Sequence, residues 1–146
     1  MKTALTILIL ICSVTTAHAL QVGDNSFYTG NFNGDPLTIS LSVSEIVGDT
    51  YNAAMIVTIG QQTGTGVSNG TLSEIAEGNM QFKNCLALGG TLESVLTPAR
   101  AFTACHLSAG VKEIYLSPEV PFGFVKSINN KDGNHVETLL QSYRMQ

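Results

Sequence analysis

The strict alternation of apolar and polar residues between positions 37 and 43 most constrains the fold of this chain. Successive side chains of a β-strand point to opposite faces, so this segment predicts a strand with one buried and one solvated face. Residues 51–59 follow the turn dipeptide Gly48-Asp49 and predict a second strand, in the interior of a sheet because both of its faces carry apolar side chains. The alternating apolar residues of the first strand are Leu37, Ile39, Leu41 and Val43.

Short apolar segments separated by turn residues continue to the end of the chain. The segment 60–70, "GQQTGTGVSNG", is interpreted as a flexible hairpin loop, because it lacks the lysine of a P-loop and the last glycine of a dinucleotide-binding motif. Residues 71–84 fit either two short strands around Glu77-Gly78 or one short helix within 71–81. Further strands are predicted at residues 91–97, 102–107, 111–116, 122–128 and 136–143.

The spacing of these signals predicts the fold class. Turn residues recur every 8 to 12 positions, as in antiparallel sandwiches and barrels, and no window holds a sustained helical pattern. We therefore expect an all-β, single-domain antiparallel curved sheet, a half-barrel or a barrel, with at most one short helix. The domain spans residues 20–146, a length sufficient for one hydrophobic core.

The first nineteen residues predict a cleaved secretory signal peptide. Lys2 supplies the positive start, residues 5–14 are apolar, and Ala17-His18-Ala19 fits a small-x-small cleavage site. A lipoprotein signal at Cys12 is disfavoured, because Ile11 stands where a small residue is needed. We therefore expect a periplasmic or secreted protein. We expect no integral membrane segment, because no other apolar stretch approaches about 20 residues.

The charge balance bears on the kind of partner. The chain has a formal net charge of −4, and only 12% of its residues are charged, against about a quarter in ordinary domains. Nucleic acid and anionic lipid surfaces reward basic patches, so neither is an expected partner.

After removal of the signal peptide two cysteines are left, Cys85 and Cys105. An even number in an exported protein favours one disulfide over a metal pair or a catalytic thiol. A bridge of this loop length stabilises a fold by about 3 kcal/mol. The two cysteines lack a CxxC partner, and their spacing with the histidines matches no zinc module.

Candidate catalytic groups are few. His106 neighbours Cys105, but adjacent strand residues point to opposite faces and form no Cys-His dyad. His135 lies beside a turn, and Glu74 and Glu77 are expected on solvated edges. The chain has no nucleophile elbow or zinc-protease helix motif. We expect no catalytic site, metal or cofactor.

The stretch "SPEVPFG", residues 117–123, predicts a sharp corner between two strands. Its two prolines cannot donate hydrogen bonds to a sheet, and Gly123 permits a bend. One strand is expected to end near Ser117 and the next to start by Phe122. In a regular strand Phe122 and Phe124 would point to one face, with Lys126 next in that row.

Three segments carry a family resemblance. They are "LESVLTPARAFTACHLS", "KEIYLSPEVPFGFVKS" and "HVETLLQSYR", within residues 92–144. They resemble small bacterial periplasmic proteins whose chains form curved antiparallel half-barrels, broadly similar to lipoprotein-carrier folds. The chain departs from that pattern at Arg100, where glycine is usual, and at Leu116, where a polar or aromatic residue is common. The resemblance implies a curved half-barrel and a carrier activity.

A curved sheet can enclose a cavity, so a hydrophobic small molecule or lipid is the first expected ligand. The alternative partner is an envelope protein bound at an exposed sheet edge. A large pocket favours the first hypothesis, whereas a filled interior with an exposed apolar patch favours the second. Aromatic residues at strand spacing also suit a plain core. The candidate ligand-binding residues are Met55, Tyr115, Phe122 and Phe124.

Overall fold

The structure, a computed structural model, describes residues 18–146. The predicted signal peptide therefore lies outside the described residues, apart from His18 and Ala19. Nine strands and one helix follow one another along the described chain. They are β1 (Asn25–Phe32), β2 (Asp35–Val47), β3 (Thr50–Ile59), β4 (Gln62–Thr71), α1 (Leu72–Lys83), β5 (Thr91–Leu96), β6 (Ala101–Ala109), β7 (Lys112–Leu116), β8 (Phe124–Asn129) and β9 (Val136–Arg144).

All nine strands form one antiparallel sheet in the order β4-β3-β2-β1-β9-β8-β7-β6-β5. The predicted all-β class, with a curved antiparallel sheet and one short helix, is confirmed. The sheet does not close into a barrel. The sheet consists of two runs of consecutive hairpins, joined where β1 pairs with β9. Strands β4 and β5 are the two edges, and α1 carries the chain from one edge to the other.

The prediction of a loop at residues 60–70 is wrong. Only Gly60 and Gln61 form the turn, and β4 then pairs with β3 from Gln62 to Thr71. Gly60 has φ 57°, the left-handed conformation that a two-residue hairpin turn requires. The glycine-rich segment becomes a strand because β3 offers it an unbroken ladder of hydrogen-bonding partners. Like β4, strand β1 was not predicted from the sequence patterns.

Helix α1 occupies the ambiguous segment, so the single-helix interpretation is confirmed and the two short strands are wrong. A capping box starts the helix: Glu74 N donates to Thr71 Oγ1 at 3.0 Å, and Thr71 N donates to Glu74 Oε2 at 2.9 Å. Leu72 and Ile75 pack the helix against the sheet beside Phe122. Within residues 18–146 no helix is long and apolar enough to cross a membrane.

The predicted disulfide between Cys85 and Cys105 is present, and both cysteines are buried. It joins the segment after α1 to β6 and packs against Leu116. Gly90 leaves room for the bridge, because a Cβ there would lie 2.9 Å from Cys85 Sγ. The disulfide therefore fixes the end of the helix segment to the sheet.

The corner at residues 117–123 also forms as predicted, but the next strand starts two residues later than predicted, so Phe122 belongs to the corner rather than to the strand. Strand β7 ends at Leu116, β8 begins at Phe124, and Ser117 N donates to Gly123 O at 2.9 Å across the base of the corner. The expected position of Lys126 is wrong, however. A bulge at Val125 pairs Phe124 with Leu116 but Lys126 with Tyr115, so Phe124 and Lys126 point to opposite faces.

Phe124 connects the three hydrophobic clusters found within residues 18–146. The first cluster contains Tyr28 and Val120, the second contains Phe122, and the third surrounds the disulfide. The half-buried side chain of Phe124 packs against all three. The corner therefore aims Val120 and Phe122 into different clusters while Phe124 lies between them.

Candidate functional site

One face of the sheet, here called the inner face, carries the candidate site. It is the face to which Tyr28, Leu41, Met55 and Phe124 point. Pairing places inner-face side chains in rows across the strands: Tyr28 lies opposite Ile39, and Leu41 lies opposite Met55. Strand β3 and the part of β2 up to Val43 pair without a bulge, so they present a continuous apolar surface to this face.

Two neighbouring cavities lie along the inner face, and together we call them the trough. One has a volume of about 430 Å³ and the other, beside α1, about 530 Å³. Lys112 and Phe124 line both. The smaller cavity is lined by Tyr28, Ile39, Leu41, Met55, Ser68, Lys112, Phe124, Ser127, Asn129, Val136 and Thr138.

The wall of the smaller cavity on β1 to β3 is apolar. The side chains of Ile39, Leu41 and Met55 are only partly buried, so apolar surface remains in contact with the cavity. Tyr28 is 1% exposed, and its hydroxyl donates to Phe124 O at 3.1 Å. Burial raises the pKa of the Tyr28 phenol well above its usual range, so this part of the wall stays uncharged.

Edge strand β4 leaves this wall open because its inner-face positions are small. A Cβ at Gly66 would meet only Met55 Cε, at 3.7 Å, and a Cβ at Gly64 would have nothing within 4 Å. A larger residue at Gly66 would extend over Met55 into the cavity. The glycines of β4, which led to the prediction of a loop, thus leave the side chains of β3 accessible.

The opposite wall, on β7 to β9, is mostly polar. Lys112 on β7 lies opposite Asn129 on β8, and Ser127 Oγ lies 2.8 Å from Thr138 Oγ1. Lys112 is exposed and, of the described residues, is the one with a charge that lines the smaller cavity. Among the described residues it has no carboxylate within ion-pair distance.

The larger cavity lies between α1 and the corner. Tyr51 and Phe122 form its aromatic part, with ring centroids 6.1 Å apart. Glu74 and Glu77 line it from the helix, and both are exposed, as predicted. Burial is the main cause of the raised pKa of Tyr51, and the charge of Glu74 adds to it. This end of the trough is therefore acidic at its rim.

Three of the four predicted ligand-binding residues line the trough. Met55 and Phe124 line the smaller cavity, and Phe122, 9% exposed, lines the larger one together with Phe124. Tyr115 lies on the opposite face of the sheet, here called the outer face. Its ring is stacked on His106 with centroids 4.3 Å apart, and Lys126 Nζ lies 5.4 Å from its centroid.

Several lining residues were not among the candidates. The alternation of β2 already marked Ile39 and Leu41 as facing the core side, and this signal could have identified them. Tyr28 lies on a strand that the pattern did not reveal. Lys112 carries no motif, so only the pairing of β7 with β8 shows that it reaches the trough.

On the outer face His106 interacts with carboxylates rather than with a thiol. His106 Nδ1 lies 2.8 Å from Glu93 Oε1, and Nε2 lies 3.4 Å from Glu113 Oε2. A hydrogen bond from Thr91, and then one from His106, lowers the pKa of Glu93. Cys105 is in the disulfide that the even number of cysteines predicted. Residues 18–146 hold no group of three or more His, Cys, Asp or Glu suited to a metal ion.

Comparison of the chain with known protein families, curated proteins and solved structures finds no match. The resemblance to half-barrel periplasmic proteins therefore stays a prediction.

Proposed function

We propose that this chain is an exported, non-catalytic binding protein of the bacterial envelope that carries a hydrophobic or lipid-like ligand in the trough. The observation that carries the proposal is the smaller cavity, with its half-buried apolar wall on β1 to β3. Its volume of about 430 Å³ falls within the range of about 300–1,000 Å³ typical of small-molecule sites. Transfer of an apolar ligand from water onto such a wall is favourable.

The arrangement of the trough also supports carriage of a ligand. The cavities lie along the sheet surface, so a ligand can enter without unfolding of the core. The rigid elements around them are fixed by the disulfide and by the corner. A site that binds apolar surface on a stable scaffold suits a carrier, which must hold its ligand and then release it.

Two features support export. The amino-terminal pattern of a positive start, an apolar run and a small-x-small site is typical of secretory signal peptides. The disulfide between Cys85 and Cys105 is of a kind that persists in oxidising compartments. Both support a periplasmic or secreted location.

Native mass spectrometry of the protein purified from its source cells tests the proposal. We expect a species heavier than the polypeptide, and extraction with organic solvent should release the extra mass as a hydrophobic small molecule. Unfolding the protein before extraction should release the same molecule. If gently ionised samples contain only the bare polypeptide, and added lipids leave its mass unchanged, the carrier function is wrong.

A second candidate function, binding of a protein partner, is favoured by an exposed apolar patch near edge strand β5. Four leucines in or just before this strand are between 51% and 78% exposed. A photo-crosslinker at Leu92, compared with one at the exposed but distant Val47, tests this function in source cells. A discrete protein adduct from the first position alone would favour it. The four residues are Leu86, Leu88, Leu92 and Leu96.

A further inference from the structure

We infer that the ligand of the trough is a single-chain carboxylate, with its head at Lys112 and its hydrocarbon chain along the apolar wall toward Met55. The inference rests on the proposed function and adds the chemical class and the orientation of the ligand. Its basis is the separation of polar and apolar residues within one cavity, together with a single positive charge.

The smaller cavity is amphipathic from one wall to the other. The wall on β1 to β3 presents Ile39, Leu41 and Met55, whose side chains contain no hydrogen-bonding nitrogen or oxygen. The wall on β7 to β9 presents Lys112 and Asn129, which are paired across neighbouring strands. A purely apolar ligand would leave the second wall without partners, whereas an amphiphile satisfies both walls.

The charge of the polar wall selects an anionic head. Within the described part of the chain, Lys112 is the one charged residue lining the smaller cavity, and no carboxylate lies within ion-pair distance of it. The chain as a whole is acidic, with a net charge of −4. No described carboxylate lines the smaller cavity, so Lys112 complements a ligand carboxylate there, and the Asn129 amide beside it can donate a hydrogen bond.

The acidic residues of the trough set the orientation. Glu74 and Glu77 line the larger cavity from α1, and a ligand carboxylate placed there would be repelled. The head therefore stays at Lys112 on the side of the smaller cavity, and the chain extends along the apolar wall of that cavity, across Phe124 and toward Met55. A single lysine matches the single charge of a carboxylate better than the higher charge of a phosphate monoester.

Calorimetric titrations with three probes of equal chain length test the inference: dodecanoate, dodecanol and dodecyl phosphate. The proteins are the wild type, Lys112→Met and, as a matched control, Lys131→Met, which removes an exposed lysine outside the trough. The wild type should bind dodecanoate about three- to ten-fold more tightly than dodecanol at low salt, the range of an exposed ion pair strengthened by a hydrogen bond. Lys112→Met should abolish that preference by weakening dodecanoate alone, and Lys131→Met should retain it.

The outcomes separate the inference from the proposed function. If dodecanol binds as tightly as dodecanoate and Lys112→Met changes neither, the carboxylate inference is wrong while the carrier function stands. If dodecyl phosphate binds most tightly and depends on Lys112, the head is a phosphate, and the assignment to a carboxylate is overturned. If none of the three probes binds the wild type, both the inference and the carrier function are wrong.

Discussion

The ring of Tyr28 is stacked on the ring of Phe124, with centroids 4.7 Å apart and planes inclined by 8°. The two residues lie on β1 and β8, which are separated in the sheet by β9. Neighbouring strands are about 4.8 Å apart, so rings two strands apart meet face to face only where both lean over the strand between them. The contact is reinforced by the hydrogen bond from the Tyr28 hydroxyl to Phe124 O. It joins the apolar and polar walls of the trough.

The Tyr28 phenol should make stability depend on alkaline pH. Burial raises its pKa in the folded state above the unfolded value of about 10, so its contribution is complete below pH 10 and is lost as the pH rises further. The loss should approach about 1.4 kcal/mol per pH unit for this group. Tyr28→Phe should make the unfolding free energy fall less steeply with rising pH. Urea unfolding between about pH 8 and pH 11 measures this difference.

Tyr28→Phe should also cost about 1 kcal/mol near neutral pH, because one buried hydrogen bond is removed. Tyr51 and Tyr115 have raised pKa values too and remain in the variant, so some decline should persist. Parallel pH profiles for the wild type and the variant would contradict the role assigned to the Tyr28 phenol.

The two phenylalanines of the corner should differ in their contribution to stability. Phe122 is buried in the second cluster, so Phe122→Ala should cost about 3–5 kcal/mol. Phe124 is only partly buried and faces both cavities, so Phe124→Ala should cost less, about 2 kcal/mol. It should also weaken binding of a hydrophobic probe. Denaturant unfolding and probe titration check both; equal large losses with unchanged probe binding would indicate a plain core.

The disulfide should resist modification and contribute to stability. Alkylation of the unreduced protein, followed by peptide mapping, should label neither Cys85 nor Cys105, because the two are bonded and buried. Replacing both by alanine should lower the unfolding free energy by about 3 kcal/mol. Labelling of either residue before reduction would contradict the bridge.

Two strand glycines should respond in opposite ways to the same substitution. A Cβ at Gly30 would lie 1.7 Å from Glu137 O on β9, so Gly30→Ala should cost about 3 kcal/mol or more. A Cβ at Gly64 has nothing within 4 Å, so Gly64→Ala should be neutral or stabilise by up to about 1 kcal/mol. Thermal unfolding of the two variants compares them directly. Similar midpoints would mean that β1 and β9 are not in this register.

The predictability of the strands follows from the kind of side chain that each face carries. Strand β2 was evident because it alternates large apolar with hydroxyl residues over a long run. Strand β4 was hidden because its inner face holds glycines, and its conformation comes from the ladder that β3 provides. The start of α1 did carry a local signal, since Thr71 and Glu74 have the spacing of a capping box.

The candidate site was predictable where strands are regular and not where a bulge intervenes. Met55 lies on the regular strand β3, and its accessible position follows from alternation and from the small residue opposite, Gly66. The bulge at Val125 reverses the face of Lys126, which simple alternation placed beside Phe124. Lys112 reaches the trough only through long-range pairing, and no local pattern reports such a contact.

Binding of an apolar ligand in the trough can be measured by fluorescence titration with a long-chain hydrophobic probe. Gly66→Phe should fill the cavity over Met55 without a backbone clash. Thr65→Phe adds the same ring at the neighbouring position, on the opposite face, as a matched control. We expect at least about ten-fold weaker binding for Gly66→Phe, the effect of losing a few buried methylene contacts, and unchanged binding for Thr65→Phe. Equal affinity of the two variants and the wild type would contradict binding of an apolar ligand in the trough.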